Sequence, residues 1–220
     1  MKTPVLIVNL KQYDQSLGRN SIKFAEIAKK MSDKHNVSVV IAPPAPMIDD
    51  TSSICLTMSQ HIDPYEPGAH TGSLLAKHVK ELGCIGTIIN HSEKRISYEN
   101  IEKCVELCKK HRLISVVCAK DNKEAGELAA LKPDFIAVEP PELIGGDICV
   151  TTKPEVIVES VKAVSDVSPQ TKVLCGAGVK HRDDVEKAIE LGSQGILVAS
   201  GVVKADDIEN AMEDLVMGML

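Results

Sequence analysis

Eight short apolar runs recur along the chain: Val5–Val8, Val37–Ala42, Ile54–Met58, Thr87–Ile89, Ser115–Cys118, Phe135–Val138, Lys172–Cys175 and Gly195–Val198. Most are rich in β-branched residues, and none alternates apolar with polar as a strand with one wet face would. Runs of this kind fit strands covered on both sides, as in a parallel sheet. Between most of them apolar positions repeat at helical spacing, as at Ile22, Ala25 and Ala28, at Val105 and Cys108, at Val156, Ile157 and Val161, and at Val185, Ala188 and Ile189. Leu82-Gly83 and Leu191-Gly192 supply helix stops. Strand and helix repeating eight times predict right-handed βαβ units closing into an α/β architecture, a (β/α)8 barrel. An open doubly wound sheet is the alternative. No Gly-x-Gly-x-x-Gly follows the first run, where a dinucleotide site would need it.

Composition narrows this picture. A chain of 220 residues falls within the range where such barrels stay single, so residues 1–220 are expected to form one domain around one large core. Glycine and proline are scattered and mark no linker. A net charge of -6, with three Tyr, two Phe and no Trp, offers neither a basic footprint nor stacking platforms for nucleic acid. No apolar run approaches the ~18 residues of a membrane span, and the opening MKTPVLIVNL lacks a signal-peptide pattern, so a cytoplasmic protein without membrane contact is expected. The seven Cys form no Cys-x-x-Cys pair; reduced, mostly buried thiols are expected rather than a metal site.

In a barrel of this kind the reactive groups follow the carboxyl ends of the strands, where the loops converge on one mouth. The residues there are Asn9-Leu10-Lys11, Asn90-His91-Ser92-Glu93, Glu139-Pro140-Pro141, Gly176-Ala177-Gly178 and Ala199-Ser200-Gly201. Each alone has an ordinary explanation: a solvated lysine, a structural histidine, a loop acid, turn glycines. Together they set an amine, an imidazole, a carboxylate and two small-residue loops around one opening.

The ordered set NLK, INHSEKR, VEPPELIG, LCGAGV and LVASGVVKA, spanning Val5 to Lys204, closely resembles the triosephosphate isomerase family in the short form typical of archaea. The resemblance implies a compact TIM barrel with shortened helices. It also implies cofactor-free and metal-free interconversion of dihydroxyacetone phosphate and glyceraldehyde 3-phosphate, a step of glycolysis and gluconeogenesis. Glu139 matches the base that moves a proton between adjacent carbons. Because a carbon acid is weak, that base needs help at the carbonyl, and His91 matches the electrophile that gives it. The neutral state of that imidazole is a known property of the family rather than something read from these residues. Ser92 to Arg95 are compatible with it, since a helix starting there would disfavour imidazolium. Lys11 matches the cation that stabilises the enediolate and the phosphate, Asn9 an amide donor beside it, and Glu93 an acid that orients the lysine; Glu93 also suits an ordinary first helical turn. Gly145, Gly178, Ala199, Ser200 and Gly201 occupy the stretches whose main-chain N–H groups hold the phosphate.

Phe135 to Cys149, FIAVEPPELIGGDIC, is then a strand that delivers Glu139 into a hinged lid, stiffened by Pro140 and Pro141 and loosened at Gly145 and Gly146. Closure would press Ile144 and Leu197 against the carboxylate and strengthen it as a base by desolvation. Short-form members usually carry Thr-Gly after the lid's Ile-Gly, and this chain has Gly146-Asp147 instead. A carboxylate near a dianionic phosphate repels it unless it points outward, so Asp147→Gly is expected to tighten substrate binding or hasten lid motion; equal kcat/KM in the two proteins would remove the idea. Leu10 stands where the family commonly has an aromatic residue, which is expected to alter packing alone. Loop Gly68 to Gly72 resembles the segment that reaches into a neighbouring subunit, where Thr71 would steady the partner's Asn9 and Lys11. The resemblance therefore implies a homo-oligomer, a tetramer ahead of a dimer. Two rival readings are another phosphate-binding barrel, which would not require the Asn-x-Lys, His and Glu-Pro-Pro set, and a non-catalytic descendant, which would be expected to lose Glu139, His91 or Lys11.

Overall fold

The computed structural model describes residues 1–139 and 153–220. Eight parallel strands close into a barrel in chain order: β1 (Val5–Asn9), β2 (Ser38–Ala42), β3 (Leu56–Ser59), β4 (Gly86–Ile89), β5 (Ile114–Ala119), β6 (Phe135–Val138), β7 (Lys172–Cys175) and β8 (Gly195–Val198). Closure is made by β8 pairing with β1, Gly195 opposite Val5 through Val198 opposite Val8. The chain thus adopts the α/β TIM barrel expected from its pattern, not an open sheet.

Side chains on successive strand residues point alternately inward and outward, so a strand buried on both sides feeds two cores. Val5, Ile7, Val40, Met58, Ile88, Val116, Ala137 and Leu197 fill the barrel interior. Leu6, Val8, Val39 and Ile41 face the other way, onto the stripe Phe24, Ala25, Ala28 and Met31 of helix α1 (Asn20–His35). Two interiors lined from the same strands leave no wet face, which is why the runs never alternate.

The other helices among the described residues are α2 (Ile48–Ser52), α3 (Ala76–Glu81), α4 (Tyr98–His111), α5 (Asn122–Ala129), α6 (Pro154–Val167), α7 (Arg182–Glu190), α8 (Ser200–Val203) and α9 (Ile208–Met217). Several are short, with α2 and α3 little more than a turn. Ser97 and Asp121 cap α4 and α5 by accepting from Asn100 N and Glu124 N. Gly83 and Gly192 lie in the left-handed region just past α3 and α7, at the two predicted stops.

Three differences from the sequence reading are informative. The third strand begins at Leu56, two residues later than its apolar run, because the amides of Ile54 and Cys55 donate to Thr51 O in the turn that ends α2. Those two donors are spent before the ladder begins. In α1 the buried stripe centres on Phe24 and Met31, and Ile22 sits at its half-buried margin. Ser92 to Arg95 do not begin a helix; they form a turn in which Lys94 N donates to His91 O at 2.8 Å, and α4 starts at Tyr98.

Of the seven cysteines, the described six are all free, and five are buried. Burial pushes the Cys84, Cys104 and Cys175 thiols up to about 12. They are protonated at neutral pH and behave as small apolar residues. Among the described residues no three His, Cys, Asp or Glu side chains cluster to hold a metal, and no helix is long and apolar enough to cross a membrane.

Candidate active site

The mouth of the barrel holds an open cleft of about 560 Å³. Asn9, Lys11, His91, Glu139, Gly178, Leu197, Ala199, Ser200 and Gly201 line it, together with Ser92, Gly176, Ala177, Val179 and Val198. Twelve of the residues singled out from sequence therefore line a single opening. Ile144 and Gly145, with Pro140, Pro141, Gly146 and Asp147, lie outside the described residues. Glu93 lines an adjoining compartment that also contains Lys11 and His91. Thr71 is exposed on its loop and lines neither compartment.

Main-chain ladders deliver these groups. Leu10 N donates to Ala42 O, Glu139 N to Ala119 O and Gly176 N to Val138 O, so each strand end stays tied to its neighbour one residue into the site. Leu10 itself is fully buried in the outer core.

Glu139 is 4% exposed and both of its oxygens are engaged. Oε1 lies 3.2 Å from His91 Nε2, and Oε2 accepts from Ser92 N at 3.3 Å. On the far side of the imidazole, Glu93 N donates to Nδ1 at 3.1 Å. An amide N–H can only donate, so Nδ1 accepts and the proton of the neutral ring resides on Nε2, aimed into the cleft. The helix start expected at Ser92 is absent, and this turn amide marks which nitrogen of a neutral ring carries the proton. A buried thiol, Cys118, stands behind the carboxylate; burial and then the Glu139 charge hold it well above its ordinary value.

Lys11 has a left-handed backbone, φ 49°, a conformation costing a non-glycine residue on the order of 1–3 kcal/mol. Three contacts hold it there. Its N–H donates to Asn9 Oδ1 at 3.0 Å, its C=O accepts from Gln60 Nε2 at 2.9 Å, and its ammonium meets Glu93 Oε1 at 2.8 Å. The first-turn reading of Glu93 lapses with the helix, leaving its carboxylate on Lys11 and its amide on His91 as its visible uses.

Gly176 is small for a steric reason: a Cβ there would stand 2.8 Å from Glu139 Cγ and from Val138 O. Gly178, in the left-handed region, turns the loop back, and α8 follows the opposite loop with a single turn starting at Ser200. Residues of both loops line the same cleft. The sequence does not single out Gln60, because the apolar run stops at Met58; the strand itself continues to Ser59 and so sets Gln60 at a strand end beside the first loop.

The family model Triosephosphate isomerase matches residues 4–215. Among curated proteins, triosephosphate isomerase of Methanothermus fervidus is 42% identical over the full length of both chains. That of Methanocaldococcus jannaschii is 43% identical, covering 89% of this chain and 91% of the relative. That of Caldivirga maquilingensis is also 43% identical, covering 91% of this chain and 90% of the relative.

Proposed function

The chain belongs to the triosephosphate isomerase family and interconverts dihydroxyacetone phosphate and D-glyceraldehyde 3-phosphate; from that premise we propose that Glu139, His91, Lys11 and Asn9 carry the reaction. The observation that supports this assignment is the pairing of a buried carboxylate with an imidazole whose only available proton faces it, in a cleft that also holds an amine.

Glu139 takes a proton from the carbon beside the carbonyl, and His91 Nε2–H donates to the carbonyl oxygen, giving an enediolate. His91 relays the hydroxyl proton of the first carbon to the former carbonyl oxygen and the Glu139 carboxyl protonates the neighbouring carbon, so one hydrogen passes between carbons and one between oxygens with no net gain or loss of atoms. To reach carbon, a Glu139 oxygen must first leave His91 or Ser92, so the contacts described belong to the resting site. Lys11 and Asn9 stabilise negative charge where it develops, in a setting that costs no reorganisation during the step. Main-chain N–H groups at Gly178, Ser200 and Gly201, beside Ala199, bind the phosphate, joined by Gly145. Ile144 and Leu197 clamp the carboxylate, and Glu93 orients Lys11.

Residues 1–220 act as one domain in the cytoplasm, and Thr71 of one subunit steadies Asn9 and Lys11 of the next within a homo-oligomer, a tetramer ahead of a dimer. A coupled assay with glyceraldehyde 3-phosphate tests both levels when run over decreasing protein concentration. We expect robust isomerisation that falls in specific activity as subunits separate. Absence of turnover at any concentration would overturn the residue assignment, and constant specific activity down to the monomer would overturn the role of Thr71.

A further inference from the structure

Five residues other than glycine occupy the left-handed region among the described residues. Asn36 and Arg112 end α1 and α4, and Lys132 closes the turn after α5, all ordinary helix-end geometry. The remaining two, Lys11 at φ 49° and Asn90 at φ 61°, stand at the mouth ends of β1 and β4. Lys11 already has a role; Asn90 has none. Such backbone persists only where its surroundings hold it, and it gathers at functional sites. Asparagine tolerates it better than most residues, so the strain alone says little.

The side chain says more. Asn90 is 2% exposed, and both ends of its amide are used. Nδ2 donates to Cys118 O at 3.0 Å, and Oδ1 accepts from Ile96 N at 3.1 Å. The last β4–β5 pair is Ile89 with Val117, so Cys118 O lies one step past that ladder. A side-chain amide makes the rung that the main chain abandons when it turns away. Arg95 also donates to this carbonyl, at 3.4 Å. Ile96 is two residues before α4. One buried amide thus joins the end of β5 to the far side of the turn.

Everything in between acts on the site. Residues 91–95 carry the imidazole of His91, the Ser92 N–H on Glu139, the Glu93 N–H on His91 Nδ1, and the Glu93 carboxylate on Lys11. We infer that Asn90 is a positioning residue of the isomerisation: its amide clamps both ends of the 91–95 turn and so sets the direction from which His91 Nε2 meets the substrate carbonyl. The inference rests on the assignment of His91 proposed above.

Asn90→Gly separates the clamp from the backbone, because glycine adopts φ 61° without strain while the side chain and its two hydrogen bonds are removed. Asn90→Asp keeps the acceptor for Ile96 N and sets a carboxylate oxygen against Cys118 O. Steady-state kinetics on both, ¹⁵N NMR of the His91 ring, thermal unfolding and a parallel His91→Gln control make the test. The clamp predicts a fall in kcat on the order of 10-fold in each variant with KM little changed, as a misdirected group costs rate more than binding. It also predicts a shift of the His91 Nδ1 resonance as the Glu93 amide loosens. Wild-type kcat and an unmoved His91 resonance in Asn90→Gly would overturn it, and so would the same result in Asn90→Asp should the glycine variant not fold. A lowered unfolding temperature with kcat intact would likewise overturn it, leaving Asn90 a role in stability alone. Wild-type turnover in His91→Gln would be a different failure, since it removes the assignment on which the clamp depends.

Discussion

Shortening one side chain by a single methylene, in Glu139→Asp, is expected to lower kcat on the order of 10²-fold with KM nearly unchanged. The carboxylate is held at its present place by a strand-end hydrogen bond from Glu139 N to Ala119 O, and by the close approach of Gly176, where even a Cβ would collide with Glu139 Cγ. The main chain cannot advance to make up the lost length. The carboxylate would therefore sit about 1 Å short of the carbon it must reach, and misplacement of that size costs about two powers of ten in rate. Substrate binding rests on other groups, so the loss belongs in kcat. Coupled-assay kinetics of the two proteins give the split, and unchanged kcat would show that proton transfer does not pass through Glu139.

The second large effect belongs to Lys11→Met, expected to cost kcat/KM on the order of 10²-fold or more with KM rising as well as kcat falling. An ammonium beside both the phosphate and the developing oxyanion contributes to the ground state and the transition state alike, so the two parameters should move together. Stability should move little. Glu93, the partner left behind, has a side chain 61% exposed, and water replaces the lost ion pair at small cost. Kinetics with thermal unfolding separate the cases; a large fall in unfolding temperature with kcat/KM preserved would mean the lysine only supports the fold.

Much of this architecture was legible because its physics is local. Phe135–Val138, Lys172–Cys175 and Gly195–Val198 were bounded correctly from sequence, each a β-branched or apolar run with a turn residue near its end. Leu56 was misjudged because Ile54 and Cys55 are apolar in type yet hydrogen-bonded into a turn, and residue type does not report where an amide points. The site was legible for a different reason. Strand ends in a closed parallel barrel converge, so Asn9, Lys11, His91, Glu139 and Gly178 had to meet once the barrel was granted. What sequence could not give is the tautomer of His91. It depends on the direction of one amide, at Glu93, in a turn that the residues Ser92 to Arg95 equally suited to a helix. Gln60 and Asn90 were opaque for the same reason: an amide side chain announces no role until both of its ends are seen to be occupied.

The central claim is that Glu139 removes a carbon-bound proton. Dihydroxyacetone phosphate incubated in D2O and followed by ¹H NMR tests it most directly, because a proton held on a carboxyl exchanges with solvent before it is returned. Deuterium should enter a C–H position of the triose phosphate with the wild-type protein, and that entry should slow in Glu139→Asp in step with isomerisation. Exchange at the wild-type rate in Glu139→Asp, or isomerisation by the wild-type protein with no deuterium entering carbon, would contradict the account.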